Sequence, residues 1–189
     1  MKIACLGWGS LIWNIGALPI QREWFKDGPF APIEFTRQSS DGRMTLVIDP
    51  TASPVRLLWA HMLSPDLASA KQALRDREGI TAKEWEPMIG AWQHGEPAPA
   101  IIPELERWAD THGLDAAIWT ALGPKFDNQE ASPSADQVVQ YLRGLTGTVR
   151  DNAKQYIERA PRQIDTEYRR RIEAALGWTS HEQRGGSCP

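Results

Sequence analysis

Apolar runs lead the chain and longer apolar periods follow, so strands are predicted first and helices later. Residues 2–6 (KIACL) form a short apolar run that ends at Gly7-Trp8-Gly9-Ser10, the pattern of a strand entering a tight turn. Between residues 30 and 48 lie two β-rich pieces, IEFTRQ and RMTLVI, joined across Ser39-Ser40-Asp41-Gly42. The Asp-Gly pair suits a hairpin turn. Pro50 and Pro54 precede a third β-rich run, residues 55–63 (VRLLWAHML). The period then changes. Ser64 can cap a helix, Pro65 suits its first position, and Asp66 complements its dipole. Leu67, Ala70 and Leu74 recur at helical spacing, and Gly79 should stop the helix after Glu78.

Residues 85–103 are rich in proline and glycine and predict an irregular connection with short helical pieces. A helix is predicted over 103–112, a strand over 115–122 (DAAIWTAL) and an exposed loop over 124–133. Further helices are predicted over 135–145, 148–159 and 165–176. Residues 181–189 hold no periodic apolar positions and are expected to form a disordered tail. This order of elements predicts an α+β fold, with residues 1–180 as a single domain.

Composition narrows the function classes. At 189 residues the chain can bury about 70% of its unfolded surface, so it needs neither disulfide nor metal to fold. Lys+Arg number 21 against 24 Asp+Glu, and that acidic balance argues against a nucleic-acid binder with a basic stripe. Cys5 and Cys188 are the only cysteines, which excludes a disulfide scaffold and a four-cysteine zinc site. His61, His94, His112 and His181 are scattered without metal-ligand spacing, so no metal is expected. No apolar run approaches the ~18 residues of a membrane span, and no signal-peptide pattern opens the chain. A soluble, cytoplasmic domain is expected, with no membrane or nucleic-acid partner.

Two stretches carry candidate chemistry. Paired glycines at Gly7 and Gly9 allow positive φ and close backbone approach to a ligand, and successive N–H groups there can cradle an anion. The same residues would also serve as an ordinary tight turn. They are not a dinucleotide fingerprint, because Ile12 stands at the third glycine position, nor a nucleophile elbow, because Leu11 and Ile12 follow Ser10. The second stretch is Arg75-Asp76-Arg77-Glu78. Glu78 follows Leu74 by four residues and extends the apolar stripe, where lost solvation would tune a carboxylate toward proton transfer. The alternative is a helix-end glutamate that turns to solvent or pairs with an arginine. Of the nine tryptophans, Trp59 and Trp119 fall in predicted strands and suit the core, while Trp8 and Trp13 flank the glycine turn and are placed to touch a ligand. Arg37, Ser39, Asp41 and Arg43 read as hairpin-turn chemistry on a solvated edge.

Together these stretches resemble the γ-glutamylcyclotransferase-like superfamily. Gly9-Ser10-Leu11 after an aromatic residue resembles its Tyr-Gly-Ser-Leu loop, and the longer Gly9-Ser10-Leu11-Ile12-Trp13-Asn14 resembles the ChaC-type, glutathione-directed branch. Phe35-Thr36-Arg37-Gln38-Ser39-Ser40-Asp41 resembles that branch's second strand, and Arg77-Glu78 resembles the pair carrying the catalytic glutamate. The similarity covers roughly residues 3–80. Trp8 replaces the usual tyrosine, and the Arg-Gly-Thr-Pro stretch typical of the branch is absent after Asp41.

The resemblance implies a small mixed β-barrel flanked by helices, with substrate in a cavity at its mouth. It implies an enzyme that releases 5-oxoproline from a γ-glutamyl amide or peptide, a small-molecule substrate, without any cofactor. Glu78 would be the general base and acid, and Gly7, Trp8, Gly9, Ser10 and Leu11 would bind substrate, chiefly through backbone N–H groups. The alternatives are a catalytically silent binding module with the same barrel, or an amide-cleaving relative acting on another γ-glutamyl amide.

Overall fold

The computed structural model describes residues 1–180, and the tail expected at 181–189 lies outside the described residues. Strand β1 (Ile3–Gly7) is buried at every position because both of its faces are covered. Ile3 and Cys5 join a hydrophobic cluster with Ala70 and Leu74 of helix α1 (Leu67–Glu78), while Ala4 and Leu6 join a larger cluster on the other side. A strand covered on both faces shows no polar alternation, hence the continuous apolar run in the sequence. β1 pairs antiparallel with β5 (Leu58–His61) and parallel with β7 (Ala116–Thr120). With β6 (Ile89–Gln93) these strands form a sheet in the order β5-β1-β7-β6.

The predicted hairpin is β2 (Phe30–Gln38) and β3 (Met44–Ile48), and its turn uses Gly42 at φ +82°. Strand β4 (Pro54–Arg56) pairs on the other edge of β2, giving a second sheet in the order β3-β2-β4. The apolar run at 55–63 therefore serves both sheets. Leu57, fully buried, carries the chain across, and its N–H and carbonyl bond Pro29 and Gly28. The fold is α+β, but its strands form two sheets, with no closed barrel among the described residues.

Two expectations need correction. Residues 85–103 are not irregular throughout, since they contain β6. Its Gly90 lies opposite Trp119, and a Cβ there would sit 2.1 Å from the indole ring. The glycine that suggests a loop is the space the tryptophan occupies. The cap of α1 is Asp66 rather than Ser64: its carboxylate accepts from the Ser69 N–H at 2.7 Å, and Gly79 closes the helix in the left-handed region.

The remaining helices are α2 (Leu105–His112), α3 (Ala135–Gly144), α4 (Gly147–Arg159) and α5 (Glu167–Leu176). α4 leans on β3 and α5 on β2. A buried carboxylate joins the second pair. Glu34 Oε1 accepts from the Thr166 hydroxyl at 2.5 Å and the Phe35 N–H at 2.9 Å, and Oε2 accepts from the Tyr168 N–H at 3.1 Å. The acid thus completes the N-terminus of α5, where orphan N–H groups and the dipole favour it.

Candidate active site

The C-terminal end of β1 runs directly into the glycine turn. Leu11, buried at 5% exposure, drives the short 3-10 turn Ser10–Ile12 into the core, and this fixes the loop against the sheet. Neither Gly7 nor Gly9 has a positive φ, so backbone handedness does not explain them. Close approach does. A Cβ on Gly7 would meet the Trp24 ring at 2.8 Å, and one on Gly9 would meet the Tyr156 hydroxyl at 2.6 Å. The turn's internal hydrogen bonds use its carbonyls: Gly9 O accepts from Ile12, and Ser10 O from Asn14. Among the described residues the N–H groups of Trp8, Gly9 and Leu11 donate to no protein acceptor.

All five loop residues, Gly7 to Leu11, line one cavity of about 730 Å³, and Glu78 lines it too. The carboxylate is where the helical stripe places it, at the last position of α1, with its side chain 18% exposed. It is also ion-paired, because Oε1 accepts from Arg77 Nη1 at 2.5 Å. The same guanidinium reaches Asn14 O at 2.5 Å and the Ser10 hydroxyl at 3.4 Å, so the pair is tied to the glycine turn rather than away from it. Glu78 Oε2 accepts no hydrogen bond among the described residues. A charge-assisted bond at one oxygen orients the acid and leaves the other oxygen for a ligand.

Trp8 and Trp13 border the two spaces in different ways. The Trp8 ring is buried, with Nε1 donating to Leu46 O at 3.1 Å, so this residue borders the cavity from within the core. Trp13 lies edge-on to Tyr156 at 5.4 Å and faces an adjoining groove of about 800 Å³. That groove shares Ser10, Arg43, Arg77 and Glu78 with the cavity, so Glu78 stands where the two spaces meet.

The hairpin carries the expected turn chemistry, the Ser39 hydroxyl and Arg43 both donating to the exposed Asp41 carboxylate, and it also borders the cavity. Arg37 and Arg43 line the cavity, joined by Lys125 from the loop after β7, which pairs with β2 through Gln38 N to Lys125 O at 2.7 Å. With Arg77 these cations outnumber Glu78 and Asp127, the carboxylates of the lining, while Arg43 is itself paired with Asp41 at 2.8 Å.

Tyr156 on α4 is the residue the sequence did not reveal. Its hydroxyl accepts from the Leu46 N–H at 3.3 Å, and the Arg43 guanidinium stands 5.5 Å from its ring centre. Burial pushes the phenol up to about 12, and the nearby Glu78 charge adds to this, against the Leu46 and Ser10 N–H groups and Arg43. Beneath the loop, burial likewise pushes the Cys5 thiol up to about 12, so Cys5 is a small buried hydrophobe and not a nucleophile. Among the described residues no cluster of metal-ligating side chains occurs, and no helix is long and apolar enough to cross a membrane. No protein-family model and no curated protein matches the chain.

Proposed function

We propose that the protein is a γ-glutamylcyclotransferase-like enzyme that releases 5-oxoproline from a γ-glutamyl amide or peptide by intramolecular aminolysis. The observation that carries this reading is that Glu78 and the Gly7–Leu11 loop, distant in sequence, line the same cavity. The chemistry asks for what that cavity offers. A γ-glutamyl group brings an α-carboxylate, which suits a cationic wall and unpartnered N–H donors. Its α-ammonium must lose a proton before the amine can attack the γ-carbonyl, and the open oxygen of Glu78 takes that proton. The N–C bond closes the five-membered lactam, the carbonyl becomes a tetrahedral oxyanion, and its collapse breaks the original amide bond. The leaving amine receives that proton back from Glu78, and the ring nitrogen's second proton passes to the amine through solvent, so 5-oxoproline keeps one N–H and the amine departs as an ammonium. The groove shared at Ser10, Arg43, Arg77 and Glu78 gives the leaving portion a path outward. The two sheets would play the part of the family's barrel.

The Arg77–Glu78 ion pair favours a second reading, a silent binding module in which the carboxylate is neutralised for structural reasons. One experiment separates the two. Incubation with a panel of γ-glutamyl amino acids, amines and peptides, followed by assay of 5-oxoproline, should give turnover for at least one class. Saturable binding of panel members with no 5-oxoproline from any of them would favour the silent module.

A further inference from the structure

We infer that Tyr156 is a further catalytic residue, its phenolic O–H donating to the oxygen of the γ-carbonyl as that oxygen becomes an oxyanion. The inference rests on the cyclotransferase reading and names the electrophilic partner that Glu78 lacks. Tyr156 is 6% exposed and lines the cavity. Its oxygen accepts the Leu46 N–H at 3.3 Å, yet among the described residues its own proton goes to no protein acceptor. A buried hydroxyl that accepts but does not donate has its donor direction left for a ligand. The hydroxyl packs against Gly9, where a Cβ would lie 2.6 Å from it, so the phenol borders the cavity beside the loop that would hold the substrate. The ring is held edge-on by Trp13 at 5.4 Å and Phe35 at 6.4 Å, which gives the donor a fixed aim. Burial holds the proton on the phenol, and the N–H groups at its oxygen and the Arg43 guanidinium beside its ring only partly oppose this. The facing charges are Arg43 from the hairpin, Glu78 from α1 and Arg169 from α5. The step is electrostatic: no bond to Tyr156 forms, and its proton stays on the phenol while the oxyanion lasts.

The test compares wild type, Tyr156→Phe and Glu78→Gln in 5-oxoproline release. It also measures binding of a phosphinate whose tetrahedral anionic phosphorus replaces the γ-carbonyl of a γ-glutamyl peptide. Loss of one oxyanion donor should lower kcat by about 10²–10³-fold in Tyr156→Phe, with KM nearly unchanged and phosphinate affinity reduced in parallel. Fluorotyrosine at position 156 keeps ring and hydroxyl, and should move the alkaline limb of the pH–rate profile to lower pH. This second variant decides the matter should Tyr156→Phe fail to fold. Wild-type turnover that Glu78→Gln loses and folded Tyr156→Phe keeps, or an unmoved alkaline limb with fluorotyrosine, overturns the donor and leaves the cyclotransferase reading standing. Absence of wild-type turnover with Tyr156-dependent phosphinate binding supports the donor site and overturns that reading instead.

Discussion

At Glu78, one carboxylate oxygen is committed to Arg77 and the other accepts no hydrogen bond among the described residues, and this division makes substitution informative. Glu78→Gln keeps an acceptor for the arginine and nearly the same shape, but it removes the base. A general base contributes about 10²–10⁴ in rate, so 5-oxoproline release should fall by that range, while thermal unfolding should report a loss of about 1–3 kcal/mol because the largely buried Arg77 loses its counter-charge. Gly9 makes the opposite test, one of space. Gly9→Ala places a methyl carbon 2.6 Å from the Tyr156 hydroxyl, so turnover should drop at least tenfold, and overpacking should cost about 1–3 kcal/mol in denaturant melts. Gly123→Ala, with nothing within 4 Å, should melt and turn over as wild type. The glycine turn and Glu78 could be read from sequence because each announces itself locally, by a glycine pair after an apolar run and by a helical stripe. Tyr156 could not. It lies 110 residues from Leu46, whose N–H it accepts, and with Ala153 and Ile157 it forms a periodic buried stripe that reads as packing alone.

Among the elements, β6 and the β4–β5 crossing were hidden for physical reasons that can be tested. Gly90 breaks the apolar pattern of β6 because Trp119 fills the place of its side chain. Gly90→Ala should therefore destabilise by at least about 3 kcal/mol, above the usual cost of added core volume, because the clash is with a buried ring across a strand pair. Gly144→Ala, at the end of α3 with nothing within 4 Å, should be neutral or stabilise by up to about 1 kcal/mol. Comparing the two melts separates a packing glycine from a merely permissive one. The helices were predicted to within a few residues because their periods are strong, but the sequence does not reveal what seats α5. That is Glu34, whose two oxygens gather the Thr166 hydroxyl and the Phe35 and Tyr168 N–H groups. Glu34→Ala leaves these buried donors unsatisfied and should cost about 3 kcal/mol, with amide exchange in α5 accelerating first.

For the molecule as a whole, buried acids make stability fall in alkali, Cys5 and Tyr156 being shifted to about 12 and Tyr168 shifted in the same direction. The Cys5 thiol is raised from its ordinary 9.0 to about 12 and the Tyr156 phenol from 10.0 to about 12, in both cases chiefly because burial disfavours the anion. Below pH 9 both groups are protonated whether the chain is folded or unfolded, and their full contribution is present. As pH rises through 9 and then 10, the unfolded chain releases these protons while the folded chain keeps them. The native state then binds more protons, and stability must fall with pH. Between about pH 10 and 12 both groups differ, and two protons at about 1.4 kcal/mol per unit each give a slope of about −3 kcal/mol per pH unit. Cys5→Ala and Tyr156→Phe should each remove about half of that slope, whatever they do to stability at pH 7, because each deletes one titrating site. Denaturant unfolding at half-unit steps from pH 8 to 12 measures this directly. A wild-type slope unchanged by either substitution would show that other groups control the alkaline limit and that the cavity floor is wetter than its burial indicates.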